Sequence, residues 1–82
     1  MTEQELKALP WRWKSHTSLE DAHFTNMEAK IGLATVYKCD YVPYKNGQPS
    51  GKGSTHYMLN GKVFKSAKKL IEHINNLNND NR

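Results

Sequence analysis

The stretch from Thr55 to Leu77 constrains this chain most, because it reads as strand, two-residue turn, strand and helix in immediate succession. Asn60-Gly61 separates Tyr57-Met58-Leu59 from Lys62-Val63-Phe64, and Asn-Gly readily accepts the two positive φ angles of a type I′ hairpin turn. Pairing across that turn sets Leu59 opposite Lys62, Met58 opposite Val63 and Tyr57 opposite Phe64. Tyr57, Leu59 and Phe64 then share one face, the expected core side, while Met58 and Val63 share the other. Ser66 follows with a hydroxyl suited to an N-cap, and Ala67, Leu70, Ile71, Ile74 and Leu77 recur as one apolar helical stripe. Lys68, Lys69, Glu72, His73, Asn75 and Asn76 fall on the opposite, solvent side, so the helix is expected to lie on the sheet by its stripe.

Upstream, Thr2 with Glu5 matches a capping box, and a short helix from Glu3 to Leu9 is expected before Pro10. A helix of that length frays unless it packs on something. Trp11-Arg12-Trp13-Lys14 alternates ring and cation, which in an extended segment sends both rings to one side and both cations to the other. Such a pairing suits single-stranded nucleic acid, while in a domain with so few large residues two tryptophans are more often core material. Ser18 with Asp21 again resembles a capping arrangement, and Leu19, Ala22, His23 and Met27 fit a helical face. A helix is therefore predicted near residues 18–28, with a strand starting at Phe24-Thr25 as the alternative. From Ile31 to Tyr44 the chain is β-rich, with Ile31, Leu33, Thr35, Tyr37, Cys39 and Tyr41 alternating with more varied residues. This predicts one long strand, or a strand bulged near Lys38 to Asp40, which Pro43 ends or confines to an edge. Tyr44 to Ser54 carries three glycines and a proline and reads as a loop. The asparagine-rich end, 78–82, is expected to fray, leaving 1–77 as one small domain.

A chain of 82 residues buries only a little over about 60% of the surface its unfolded form exposes. Its 37% hydrophobic and 24% charged residues are the composition of a folded protein with a modest core. The lone Cys39 excludes an internal disulfide and favours a reducing, cytoplasmic setting. No apolar run approaches a membrane span, and the polar start from Met1 to Glu5 is unlike a signal peptide, so neither membrane nor secretion is expected. The net charge of +4 is uneven: residues 1–30 hold four Lys or Arg and five Asp or Glu, residues 31–82 eight and three. A basic surface of this kind serves solubility and also favours anionic partners, nucleic acid or an acidic protein surface.

Catalytic and metal chemistry find little support. His16, His23, Cys39, His56 and His73 show none of the close ligand pairs of zinc modules, so no metal or other cofactor is expected. Cys39 falls mid-strand, where a buried structural thiol is the ordinary case. The carboxylates are scattered, and Gly51-Lys52-Gly53-Ser54 lacks the spacing of a phosphate-binding loop. An enzyme is not expected. Lys65, Lys68 and Lys69 surround the start of the C-terminal helix, where the macrodipole disfavours cations by about 0.3 to 1 kcal/mol each. Helix stability alone does not select them, and with Lys45, Lys52 and Lys62 they are candidate phosphate contacts.

Phe64-Lys65-Ser66 followed by Leu70, Ile71 and His73 is similar to the strand-to-helix step of Src-homology 2 domains. It is equally similar to that step in the small three-stranded DNA-binding domains of plant and phage-integrase type. One local pattern shared by such different families is a packing signature and assigns no family.

The expected fold is α+β: a three-stranded, mainly antiparallel sheet over residues 31–65, covered on one face by the C-terminal helix and a helix near 18–28. The other sheet face, or its loop edge, is left for partners. The leading functional expectation is a small basic, non-enzymatic module contacting nucleic-acid phosphates through Lys45, Lys52, Lys62, Lys65, Lys68 and Lys69. The alternative is a protein-binding module, an inhibitor or adaptor of the phage-type accessory kind, anchored by Trp11, Trp13, Tyr41, Tyr44 and Tyr57. Homodimerisation through an uncovered sheet edge belongs to that alternative.

Overall fold

The computed structural model describes residues 1–80. The elements in chain order are α1 (Glu3–Lys7), β1 (Arg12–Ser18), β2 (Ala22–Ile31), β3 (Ala34–Lys45), β4 (Gln48–Pro49), β5 (Ser54–Leu59), β6 (Lys62–Phe64) and α2 (Ala67–Asp80). Among these residues the architecture is α+β, with two helices and an antiparallel sheet of six strands where three were expected. Its order is β1-β2-β3-β5-β6, with β4 paired to the end of β3. No helix among the described residues is long and apolar enough to cross a membrane.

The hairpin forms in the expected register, Tyr57 opposite Phe64, Met58 opposite Val63 and Leu59 opposite Lys62. Asn60 and Gly61 take φ of 53° and 78°, the left-handed pair that the type I′ turn requires. Ser66 caps α2 by accepting the Lys69 N–H at 3.2 Å. The α1 capping box is also present, with Thr2 and Glu5 bonding reciprocally. This short helix holds because Leu6 is fully buried in the core.

The helix predicted near 18–28 is a strand instead. β2 pairs with β1 on one side and, without interruption, with β3 on the other. His23, Thr25, Met27, Ala29 and Ile31 fit a period of two as well as Ala22, His23 and Met27 fit a helix, and pairing along both edges decides between them. The Ser18 hydroxyl, expected to cap a helix, lies 2.8 Å from His23 Nε2 across the β1–β2 hairpin. The single long strand expected from Ile31 is divided at Gly32-Leu33, a turn that leaves Leu33 in solvent. From Ala34 to Lys45 the strand runs without the alternative bulge near Lys38 to Asp40; the register shift lies in β1, between Trp13 and Ser15.

The expected loop from Tyr44 to Ser54 contains a second tight Asn-Gly turn, with φ of 54° and 77° at Asn46 and Gly47. Pro43 is accommodated because the β3–β5 ladder ends two residues earlier, at Tyr41 opposite Ser54, so no partner needs its missing N–H.

Ala29, Val36, Leu59, Tyr57 and Phe64 form the sheet side of the core, and Leu70, Ile71, Ile74 and Leu6 close it from the helices. Leu77, the last residue of the expected stripe, is 41% exposed. His73 and Asn75, expected in solvent, are half-buried: His73 packs on the Phe64 ring at 5.0 Å and Asn75 bonds Met1. α2 continues to Asp80, past the expected limit at Leu77, and 81–82 of the expected tail lie outside the described residues.

Candidate functional site

Alternation along each strand divides the sheet into two faces. α2 packs against β5 and β6 on one. The other carries Phe24, Asn26, Tyr37, Cys39, Tyr41, His56, Met58 and Val63 in adjacent register positions, and among the described residues no helix covers it. Its side chains are half-buried among one another or exposed. Hollows on this face are lined by Tyr37, Cys39, His56, Met58 and Val63, and by Lys14, Ser15, Asn26, Tyr37 and Met58. Phe24 and Tyr41 sit side by side, ring centroids 5.4 Å apart.

Alternation along β1 brings Arg12 and Lys14 to this face, and the β1 bulge adds Ser15 to it. Two residues of β1 occupy the space of one on β2 around Lys14, so Lys14 and Ser15 turn to the same side. Lys14 Nζ stands 4.5 Å from the centroid of the Tyr37 ring, and Ser15 Oγ accepts the Asn26 amide at 3.1 Å. Arg12 lies opposite Glu28 on the same face, and Lys30 opposite Thr35, whose hydroxyl accepts its ammonium at 2.8 Å. Lys65 lines a hollow with His56 and Val63 at the far rim. Four cations therefore border a face whose strands contribute one carboxylate, Glu28. The alternation of Trp11-Arg12-Trp13-Lys14 holds: the cations serve the open face and the rings turn to the helix side.

The six lysines named from the sequence do not form one patch. Lys45 lies nine residues along β3 from Val36, which is level with Leu59 and Lys62, a separation of about 30 Å at ~3.3 Å per residue. Lys45 and Lys52 thus belong to the end of the sheet remote from the helices. Lys62, Lys65, Lys68 and Lys69 lie toward α2, all exposed, and of these Lys65 borders the open face.

The aromatic set is likewise divided. Tyr57 is 9% exposed and belongs to the core, so it is no surface anchor; burial raises its phenol above the usual value, with Asp40 and then Glu3 adding to the effect. Trp11 packs against the core, donates its indole N–H to the Leu6 carbonyl at 3.0 Å and carries Lys38 over its ring at 4.5 Å. Trp13, in contrast, is 66% exposed, on the helix side opposite Met27. Tyr41 is on the open face, whereas Tyr44 is on the other, stacked on His23 at 3.7 Å. Burial and then the Asp40 charge raise the Cys39 thiol, which keeps it protonated and weakly nucleophilic.

Reading the sequence for lysines missed Arg12, Lys14, Tyr37, Phe24 and Met58 as members of one surface. The alternation of Thr35, Tyr37, Cys39 and Tyr41 was the signal that they share a face. Compared with models of protein families, with curated proteins and with solved structures, the chain matches none.

Proposed function

We propose that this chain is a small non-enzymatic module that binds nucleic acid through its open sheet face. The observation that carries this reading is the layout of that face: Tyr37, Tyr41, Phe24 and Met58 at the centre, Arg12, Lys14, Lys30 and Lys65 at the border, and Glu28 as its one strand carboxylate. Such a surface meets phosphates with its rim and bases with its centre. Lys62, Lys68 and Lys69 extend the positive field toward α2.

The test is a fluorescence-anisotropy titration of a labelled oligonucleotide at several salt concentrations, with the chain and with Lys14→Gln/Lys65→Gln. Both lysines are exposed, so the variant keeps the fold. Affinity is expected to fall steeply with salt, and the double variant to flatten the log–log slope by about 1.4, at ~0.7 per phosphate contact on a single strand. An unchanged slope refutes the placement of the site.

A second reading, a protein-binding module, is favoured by Trp13 alone, an exposed ring on edge strand β1. Trp13→Ala would then abolish self-association in sedimentation experiments or capture of a protein partner, while oligonucleotide affinity stays unchanged.

A further inference from the structure

Resting on the nucleic-acid reading above, we infer that the ligand is an unpaired strand, laid along β3 with bases against Tyr37 and against the Tyr41–Phe24 pair.

The width of the face is the first ground. At the level of Tyr37 the sheet is five strands across, from β1 to β6, about 19 Å at ~4.8 Å per strand spacing. The major groove of a B-form duplex is about 12 Å wide, so the face cannot enter it broadside.

The second ground is the chemistry at the centre. Groove edges are read by long amide and guanidinium groups, yet the centre offers rings, a thioether and a thiol. Its one amide, Asn26, is already donating to Ser15. Aromatic rings gain most from the flat surfaces of bases, and these are open only in an unpaired strand.

Spacing is the third. Tyr37 and Tyr41 are four residues apart on one strand and one face, about 13 Å at ~3.3 Å per residue. Stacked duplex bases repeat at about 3.4 Å, so the two ring sites suit bases drawn apart along an extended backbone. Arg12 and Lys14 on one rim and Lys65 on the other are then placed for the phosphates.

The experiment compares a labelled mixed-sequence oligonucleotide with the blunt duplex of the same length, at low and at moderate salt. The single strand is expected to bind about tenfold or more tightly than the duplex. Tyr37→Ala and Tyr41→Ala should each weaken single-strand binding about 5- to 150-fold, with the salt slope unchanged, whereas Tyr37→Phe and Tyr41→Phe should bind nearly as the parent. Equal or tighter duplex binding overturns the inference and leaves the nucleic-acid reading standing, as does single-strand affinity indifferent to loss of both rings. Failure of both oligonucleotides to bind at low salt overturns the two together.

Discussion

Replacing Leu70 and Leu77 separately by alanine tests how α2 is seated. Both belong to the same apolar stripe in sequence, yet Leu70 is 0% exposed and Leu77 41%. Leu70 is enclosed by the sheet residues and by α1 through Leu6, so its truncation leaves a cavity that neighbours only partly refill. The expected cost is about 2 to 5 kcal/mol. A chain of this length has a total stability of about 4 to 12 kcal/mol, at ~0.05 to 0.15 per residue, so Leu70→Ala removes a large share. Its thermal midpoint should fall by about 10 °C or more, at ~4 to 8 °C per kcal/mol. Leu77→Ala gives up only part of a leucine's burial at an open margin and should cost under about 1 kcal/mol. Urea unfolding followed by circular dichroism measures both. Equal costs, or a Leu70→Ala loss below about 1 kcal/mol, would refute the seating of the helix by its first two turns.

Two further outcomes follow from the same packing. A Cβ at Gly53 would lie 2.6 Å from the Tyr41 carbonyl oxygen, a backbone atom with little freedom to yield, so Gly53→Ala should destabilise by about 1 to 3 kcal/mol in the same urea assay, and an unchanged midpoint would show that the β3–β5 step is looser. The Tyr57 phenol is raised by burial first and by Asp40 and Glu3 second. The folded state therefore favours its neutral form: the stability this provides is complete below the unfolded value, about 10, and is lost as pH rises through the folded one. Tyr57→Phe should show a shallower alkaline loss in pH-dependent urea unfolding, and identical profiles would contradict the burial of the phenol.

What was legible in the sequence was local. Asn60-Gly61 specified its hairpin down to the residue pairs, because a two-residue turn fixes register without reference to the rest of the chain. Asn46-Gly47 carries the same dipeptide, but Pro43, Pro49 and the neighbouring glycines made the segment read as loop. At residues 18–28 both helical and strand periods fit, and what decides is pairing with β1 and β3, which a single segment does not contain. The candidate site follows the same division. The ring-and-cation alternation of Trp11 to Lys14 was readable, whereas the bulge that brings Ser15 beside Lys14 on the open face depends on how many β2 residues stand opposite. Tyr57, expected on the core side of its hairpin, is there, which removes it from the alternative set of surface anchors, as packing against the core removes Trp11. The lysines looked like one patch because sequence distance conceals the ~30 Å of strand between Lys45 and Lys62.

The central claim is that the open face, and not the helix side, meets nucleic acid. Amide chemical-shift mapping by NMR during titration with a single-stranded oligonucleotide tests it most directly. The account predicts the largest shifts at Lys14, Tyr37, Cys39, Tyr41 and Met58, with Glu72 and Asn76 on the outer side of α2 unmoved. Shifts centred on α2, with the open face silent at saturation, would contradict it.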